Sequence, residues 1–382
     1  MRTDEDSIGE AKQKVLEAGP AGDRWYAVER ADRVRPGAIT RATFWGTDIA
    51  LFRRSDGAVA AVEDRCAHRH LPFSEMGKVE GDRITCGYHG WQYDGAGRCV
   101  KIPLLPDQER GPCERVAIRA FPTGERYGLV WVFFGDPDEA EKTPLPAVER
   151  LDAGEPVAFT VLDEVFEAHH SMVIENFCDL YHEPLHDDYQ PFHGSRLESA
   201  TPTDDGFDFV YETDFARGLA LKHFLDGFRP RMRVRLRYRY PHLSLDFEGR
   251  QELWLFLLPQ APTRTRVLGF FLPRFLVPFT RRALPYGPSK ALTRLFTALY
   301  SSTFTRQDRV VLRCEQARAA EHGGKPSFEI NPVIDPLRAL LIRRWREYVA
   351  RETARAGRAA SRHQALVTLG GGLRFREVVG AR

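Results

Sequence analysis

The chain has no long apolar run, no excess of charge of either sign and little cysteine. A membrane-spanning helix needs roughly 20 consecutive apolar residues, and the richest stretch, Val267 to Phe279, is broken by Pro273, Arg274 and Pro278, so no transmembrane segment is expected. The 55 Lys and Arg against 53 Asp and Glu leave a net charge of +2. That balance supports neither nucleic-acid binding nor a polybasic membrane surface, and a small-molecule substrate becomes the default. Met1 to Arg24 is mixed in charge and lacks the apolar core of a secretory leader, so a cytoplasmic location is expected. In that compartment the six cysteines of 382 residues are not a disulfide framework, because thiols there are kept reduced. Metal ligation is the first use to test.

The length exceeds what one hydrophobic core usually organises, so two domains are expected. From Trp25 to about Asp136 the sequence falls into short β-type runs, among them Ala42 to Phe44, Ile49 to Phe52, Val59 to Val62, Arg83 to Cys86 and Val130 to Phe134, cut by Gly, Asp and Pro. Asp136 to Pro156 holds four prolines and many charges without apolar periodicity, as a linker does. Beyond it, strands mix with three segments of helical spacing: Met172 to His186, Pro288 to Arg318 and Pro336 to Arg351. The expected division is an arm over 1–23, a β-domain over 24–150, an α+β domain over 151–352 and a poorly ordered tail over 353–382. Between Met232 and Tyr240 arginines 233, 235, 237 and 239 alternate with apolar residues. That stripe reads as a solvated sheet face or as a dock for an acidic redox partner.

Cys66-Ala67-His68 is followed, seventeen residues on, by Cys86-Gly87-Tyr88-His89. Two thiolates can hold one iron of a [2Fe-2S] cluster while two neutral imidazoles hold the other, which raises the reduction potential above that of an all-cysteine cluster. A Cys2His2 zinc site uses the same ligands, but zinc fingers keep their histidines together around a short helix, whereas here each loop carries one Cys and one His between β-runs. His70 reads as a bystander in the first loop, and Cys99 and Cys113 as ordinary buried or free thiols.

A second constellation lies in Asn176 to His186. Asp179 precedes His182 by three residues and His186 follows by four, spacings that share one face of a helix. Two histidines and one carboxylate on one face of iron(II) leave its other positions open for dioxygen and substrate. Asp308, before an apolar helical turn, is the expected carboxylate; a helix N-terminal acid is the rival account of it, and Glu315 and Asp335 are further candidates. His193 is the substitute if His186 faces away. His169 and His170 read as structural. Phe215, Phe224, Phe228, Trp254 and Phe256 offer an aromatic cavity or ordinary core packing.

The strings Cys66-Ala67-His68-Arg69 and Cys86-Gly87-Tyr88-His89-Gly90-Trp91, followed by Tyr93-Asp94, Gly97 and Ile102-Pro103, resemble the cluster motif of Rieske non-haem iron oxygenases, and Asp179, His182, His186 and Asp308 with Glu315-Gln316 resemble their catalytic motif. One departure is the three residues between His182 and His186, where that family often has four. The resemblance implies an all-β [2Fe-2S] domain followed by a helix-grip, START-like antiparallel sheet with helices. It implies cluster ligands Cys66 and Cys86 on one iron, His68 and His89 on the other, with Gly87 and Gly90 where amides approach the sulfurs and Trp91 as a shield. It also implies a mononuclear iron on His182, His186 and Asp308, with Asn176 beside its approach and Asp179 bridging His182 to His89 of a neighbouring copy in a homotrimer. The implied activity is that of a terminal oxygenase taking O2 and electrons from NAD(P)H through a separate ferredoxin or flavin reductase, since no dinucleotide-binding Gly fingerprint is present. The substrate would be a largely apolar small molecule, hydroxylated, demethylated or N-oxygenated. The alternative is a Rieske electron carrier whose second half is a non-catalytic docking module.

Overall fold

The computed structural model describes residues 12–103, 111–186, 192–215, 231–277, 282–298, 302–322 and 329–369. Residues 25–133 build three antiparallel sheets from short strands: β1 (Trp25–Arg30), β2 (Ile39–Phe44), β3 (Thr47–Arg53), β4 (Val59–Glu63), β5 (Lys78–Glu80), β6 (Arg83–Thr85), β7 (Gln92–Asp94), β8 (Cys99–Lys101), β9 (Ala120–Phe121), β10 (Thr123–Arg126) and β11 (Leu129–Phe133). Their orders are β1-β11-β10, β2-β3-β4-β9 and β5-β6-β7-β8. The last sheet is small because each strand stops at a loop after three residues.

Residues 160–273 form one seven-stranded antiparallel sheet from β12 (Thr160–Phe166), β13 (Phe192–Thr203), β14 (Gly206–Phe215), β15 (Met232–Arg239), β16 (His242–Phe247), β17 (Gln251–Ala261) and β18 (Arg264–Pro273), in the order β12-β18-β17-β16-β15-β14-β13. The α+β class with a β-rich first half is therefore the one observed. Because successive side chains leave a strand on opposite faces, β17 serves two cores. Leu255 and Leu257 pack with Phe209, Tyr211, Val234 and Leu245 under the helices, while Phe256 packs with Trp131, Phe133 and Phe270 against the first half. Trp254 lies on that second face too. Neither faces the helix side, so of the two readings of these aromatics, cavity or core packing, Trp254 and Phe256 take the second. Phe224 and Phe228 fall outside the described residues.

The arginine stripe faces outward, but acids on neighbouring strands answer it: Arg233 meets Glu198 at 2.9 Å and Arg239 meets Asp208 at 2.7 Å. Arg237 stands 4.0 Å from Glu149 and Arg235 is exposed, so the stripe is neutralised at its two ends and less so between them.

The helices depart from their predicted bounds. α1 (His170–Cys178) ends at Asp179, whose φ of −94° and ψ of 105° leave the helical region. Its carboxylate accepts the Tyr181 N–H at 2.8 Å, a side-chain bond that competes with continued helix. A separate 3₁₀ turn, Glu183–His186, follows. The predicted helix from Pro288 to Arg318 is instead α2 (Tyr286–Phe296) and α3 (Ser302–His322). α4 (Ile334–Leu369) continues through the predicted tail, as the high helix propensity of its Ala and Arg residues favours; the last residues of that tail, 370–382, lie outside the described residues. Among those described, no helix is long and apolar enough to cross a membrane.

A buried ion-pair network locks the two halves together. Arg266 on β18 forks onto Glu29 of β1 with two 3.0 Å bonds and onto Asp163 of β12 at 2.7 and 2.9 Å. Beside it His242 donates Nε2–H to the Trp25 carbonyl at 2.8 Å. Burying these carboxylates is tolerable only while the guanidinium answers both. Replacing Arg266 with Met should cost about 3–5 kcal/mol of unfolding free energy, read by urea denaturation; a loss below about 1 kcal/mol would show that the network is not a lock.

Candidate functional site

The two Cys/His loops differ in sequence spacing but share one backbone pattern. In the first, Cys66 N–H donates to the Leu71 carbonyl at 3.0 Å and His70 N–H to the Cys66 carbonyl at 2.8 Å; in the second, Cys86 N–H donates to Trp91 at 2.9 Å and Gly90 N–H to Cys86 at 3.0 Å. Each loop therefore closes on the same two bonds, and each has a left-handed residue at the fourth position after its cysteine, His70 at φ 59° and Gly90 at φ 70°. His70 is thus part of the turn as well as a surface residue, since histidine tolerates that conformation better than most residues. Gly87 is required for a reason other than the one expected: a Cβ there would lie 1.8 Å from the Met76 carbonyl oxygen, where the loop packs on the short helix Phe73–Met76.

Both loops place sulfur inside and imidazole outside. Cys66 and Cys86 are buried, His68 is exposed and His89 half-buried. The rings of His68 and His89 lie 4.6 Å apart, and Trp91 stacks on His68 at 4.8 Å. The Tyr93 hydroxyl sits 3.4 Å from Cys66 Sγ and accepts the Ala67 N–H at 3.2 Å. Burial pushes the Cys86 thiol up, while the amides of Tyr88 and His89 pull it back. A single tetrahedral zinc would draw its donors to about 3.5 Å from one another. Among the described residues, three or more ligand atoms gather within 4.8 Å only elsewhere, so these four donors suit an elongated two-iron cluster better than one zinc ion.

That other place is His182, His186 and Asp308. Asp308, 1 % exposed, is the seventh residue of α3 and not an N-terminal acid. Its Oδ1 lies 3.7 Å from His182 Nε2 and 3.5 Å from His186 Nε2. These separations exceed a charge-assisted hydrogen bond of about 2.8 Å and approach the spacing of ligands about 2.1 Å from one ion at right angles, about 3 Å. The residues present fit a mononuclear metal held on one face. Burial lowers the His182 pKa, the Asp308 charge opposing and His186 assisting, so the neutral, metal-binding imidazole is favoured. Phe192 sets its ring edge-on to both imidazoles, at 5.2 and 5.7 Å.

Helix geometry supplies a residue that sequence reading overlooked. Gln307 Oε1 accepts a hydrogen bond from His186 Nδ1 at 2.9 Å, so α3 addresses both nitrogens of one ring, Gln307 on one side and Asp308 on the other. The only signal in the sequence is a polar residue next to the buried acid. Asn176 donates to Asp308 Oδ1 at 3.4 Å. The histidines converge through the 3₁₀ turn and not through one continuous helical face.

Other candidates lie apart. His193 stands 3.8 Å from Glu183 on a partly exposed strand, Glu315 pairs with Lys12 at 3.1 Å and Asp335 with Arg338 at 3.3 Å. Asp179 accepts from Asn331 Nδ2 at 2.7 Å. His169 caps α1 by accepting the Ser171 N–H, and His170 donates to the Ala18 carbonyl; burial drops their pKa values to about 2 and about 4, which keeps both neutral. Removing the hydroxyl that faces Cys66, by Tyr93→Phe, should lower the potential of a cluster bound there by about 60 mV, one charge-assisted hydrogen bond for a one-electron couple. Redox titration checks the shift, and an unchanged potential would mean the hydroxyl does not bond to the sulfur.

Residues 24–122 match the Rieske [2Fe-2S] domain family. The chain is 36 % identical over 339 residues to 4beta-methylsterol monooxygenase of Methylococcus capsulatus, an alignment spanning 88 % of this chain and 92 % of that one. Among solved structures, dicamba monooxygenase bound to 3,6-dichlorosalicylic acid aligns with a TM-score of 0.70 at 20 % identity, covering 88 % of this chain and 100 % of that one. The terminal oxygenase of carbazole 1,9a-dioxygenase from Nocardioides aromaticivorans aligns at 0.66 and 18 % identity, covering 88 % and 97 %. The sterol enzyme's alignment runs through both halves, so the second half is more than a docking appendage to an electron carrier. The chain belongs to the Rieske non-haem iron oxygenases.

Proposed function

We propose that this protein is a homotrimeric, cytoplasmic terminal oxygenase that hydroxylates or demethylates a largely apolar polycyclic molecule, with a methylated sterol-like skeleton as the leading class. The observation that carries the catalytic part is the convergence of His182, His186 and Asp308 beside the apolar helix-side face of the large sheet. The substrate class rests on the relative named for its 4beta-methylsterol activity, and the apolar Phe192 beside both imidazoles is in keeping with it.

In this reading Cys66 and Cys86 hold the inner iron of the cluster, His68 and His89 the outer one, and His182, His186 and Asp308 the mononuclear iron. When bound, the cluster supplies one-electron relay and the mononuclear iron(II) supplies dioxygen activation. The chain's own residues do the rest. Gln307 keeps the His186 proton on Nδ1 and so turns Nε2 toward Asp308. Asn176 steadies the carboxylate, Phe192 packs against both imidazoles and keeps water from them, and Trp91 covers the His68 ring. The outer ends of the two loops, with His68 and Tyr88 exposed, suit contact with a neighbouring copy, where Asp179 would link His182 to that copy's His89. Electrons come from NAD(P)H through a separate ferredoxin or flavin reductase. We place the division between the cluster domain and the catalytic domain near residue 150, between the last strand of the small sheets and the first of the large one, with domains over 24–150 and 151–352.

Substituting Asp308 with Ala should abolish mononuclear iron binding and lower substrate-dependent O2 uptake at least about 100-fold while the visible bands of the cluster persist. Iron analysis with oxygen electrode traces checks it, and undiminished uptake would remove Asp308 from the mechanism. With wild-type protein and a surrogate reductase, polycyclic methylated substrates should stimulate O2 uptake above small aromatic acids; equal uptake with every compound would defeat the substrate assignment.

A further inference from the structure

Two of the thiols outside the metal sites face one another. Cys99 opens β8 and Cys113 lies in the one-turn helix Gly111–Glu114; both are 7 % exposed, and their sulfurs are 2.9 Å apart. Unbonded heavy atoms ordinarily stand about 3.5–4 Å apart, and closing to a disulfide needs each sulfur to move only about 0.4 Å. The backbone holds them there. Cys99 N–H donates to Val116, Val116 N–H to Cys113 and Ile118 N–H to Gly97, at 3.1, 3.1 and 2.9 Å, and Arg98 bridges to Ala117. Two segments laced together in this way hold the two backbones at the separation from which the side chains bring their sulfurs together.

We propose that Cys99 and Cys113 are a redox modification site, forming a reversible disulfide behind the iron-sulfur loops. The site does not depend on how the metal ligands are assigned. The oxidant is hydrogen peroxide or another molecule small enough to enter a nearly closed site. One thiolate attacks a peroxide oxygen, the O–O bond breaks, and a sulfenic acid and water form; the second sulfur then displaces the sulfenic oxygen as water, forming the S–S bond. Two thiols lose two electrons and two protons, and one peroxide becomes two waters. Burial, with the hydrogen bond to Cys113 adding to it, pushes the Cys99 thiol up to about 12, so little of it is thiolate near neutral pH and the pair oxidises slowly. The bond would close a loop of about 15 residues and tie β8 to the segment beyond it. Cys99 pairs in register with Tyr93, whose hydroxyl touches Cys66, so the staple stiffens the strand pair that carries the second cluster loop.

The test equilibrates the full-length holoprotein in glutathione buffers of stepped ratio until samples started oxidised and samples started reduced agree, then quenches with acid, alkylates and maps the peptides by mass spectrometry. The expected result is joint loss of alkylation at Cys99 and Cys113, with one linked peptide pair lighter by two hydrogens. Half-oxidation should come at an oxidised-glutathione concentration at least about 100-fold lower than for the same chain in urea, because the fold supplies the proximity. The oxidised holoprotein should also unfold about 5 °C higher than the reduced one, a shift absent in Cys113→Ser. Glutathione adducts on the separate thiols, or equal midpoints in the native and unfolded chains, would overturn the proposal. The native against unfolded comparison uses wild-type protein alone and so decides even if the serine variant fails to fold.

Discussion

A carboxylate almost wholly removed from water, set between one buried and one half-buried imidazole, is the feature on which the rest of this structure turns. An isolated buried charge is expensive, and it persists only with a cation or a set of hydrogen-bond donors around it. Among the described residues Asn176 is the one side-chain donor to Asp308 at hydrogen-bond distance, and the bond is long. The two nearest ring nitrogens stand off at 3.5 and 3.7 Å. An ion among the three groups satisfies all of them at once, which is why the same arrangement that would be a defect in a core is an asset in an oxygenase.

Holding that carboxylate in place is the work of α3. Arg309 and Thr305 both bond to Glu164 on β12, at 2.6 and 3.2 Å, and Gln316 accepts the His169 N–H at 2.7 Å at the start of α1. The helix is therefore tied to the edge of the large sheet and to the helix that leads to the histidines. Gln307 and Asp308, adjacent in sequence, point to opposite nitrogens of His186. Such anchoring limits the freedom of side chains that must stay at ligand distance.

The large sheet divides its labour between faces. One face carries the core under the iron site and the other is cemented to the cluster domain through Trp131, His242, Phe256 and Phe270, with Arg266 supplying the polar lock. A shift in the seam would reach the strands beneath the site through the same residues, since neighbours along each strand alternate between the two cores. His68 and His89 lie toward solvent and are not among the residues of this seam.

Much of this was legible in the residues. Ligand chemistry is local: two Cys/His loops, a pair of histidines four apart and an inward acid can each be recognised from residue type and spacing, because metals demand particular donors. The two-part architecture follows from composition, with short β-runs before a proline-rich stretch and helical periodicity after it. What the chain alone left open was settled by long-range contacts. The helix through His182 was predicted as continuous, yet the Asp179 carboxylate bonds back to the Tyr181 amide and ends it. Trp254 and Phe256 read equally as cavity or core, and only the partner packed on the far side of β17 separates the two. Cys99 and Cys113 have no spacing that joins them, and their apposition comes from strand pairing across residues 97–118. A sequence declares what a side chain can do; which face it occupies and what stands opposite depend on the register of strands distant along the chain, and no local preference encodes that.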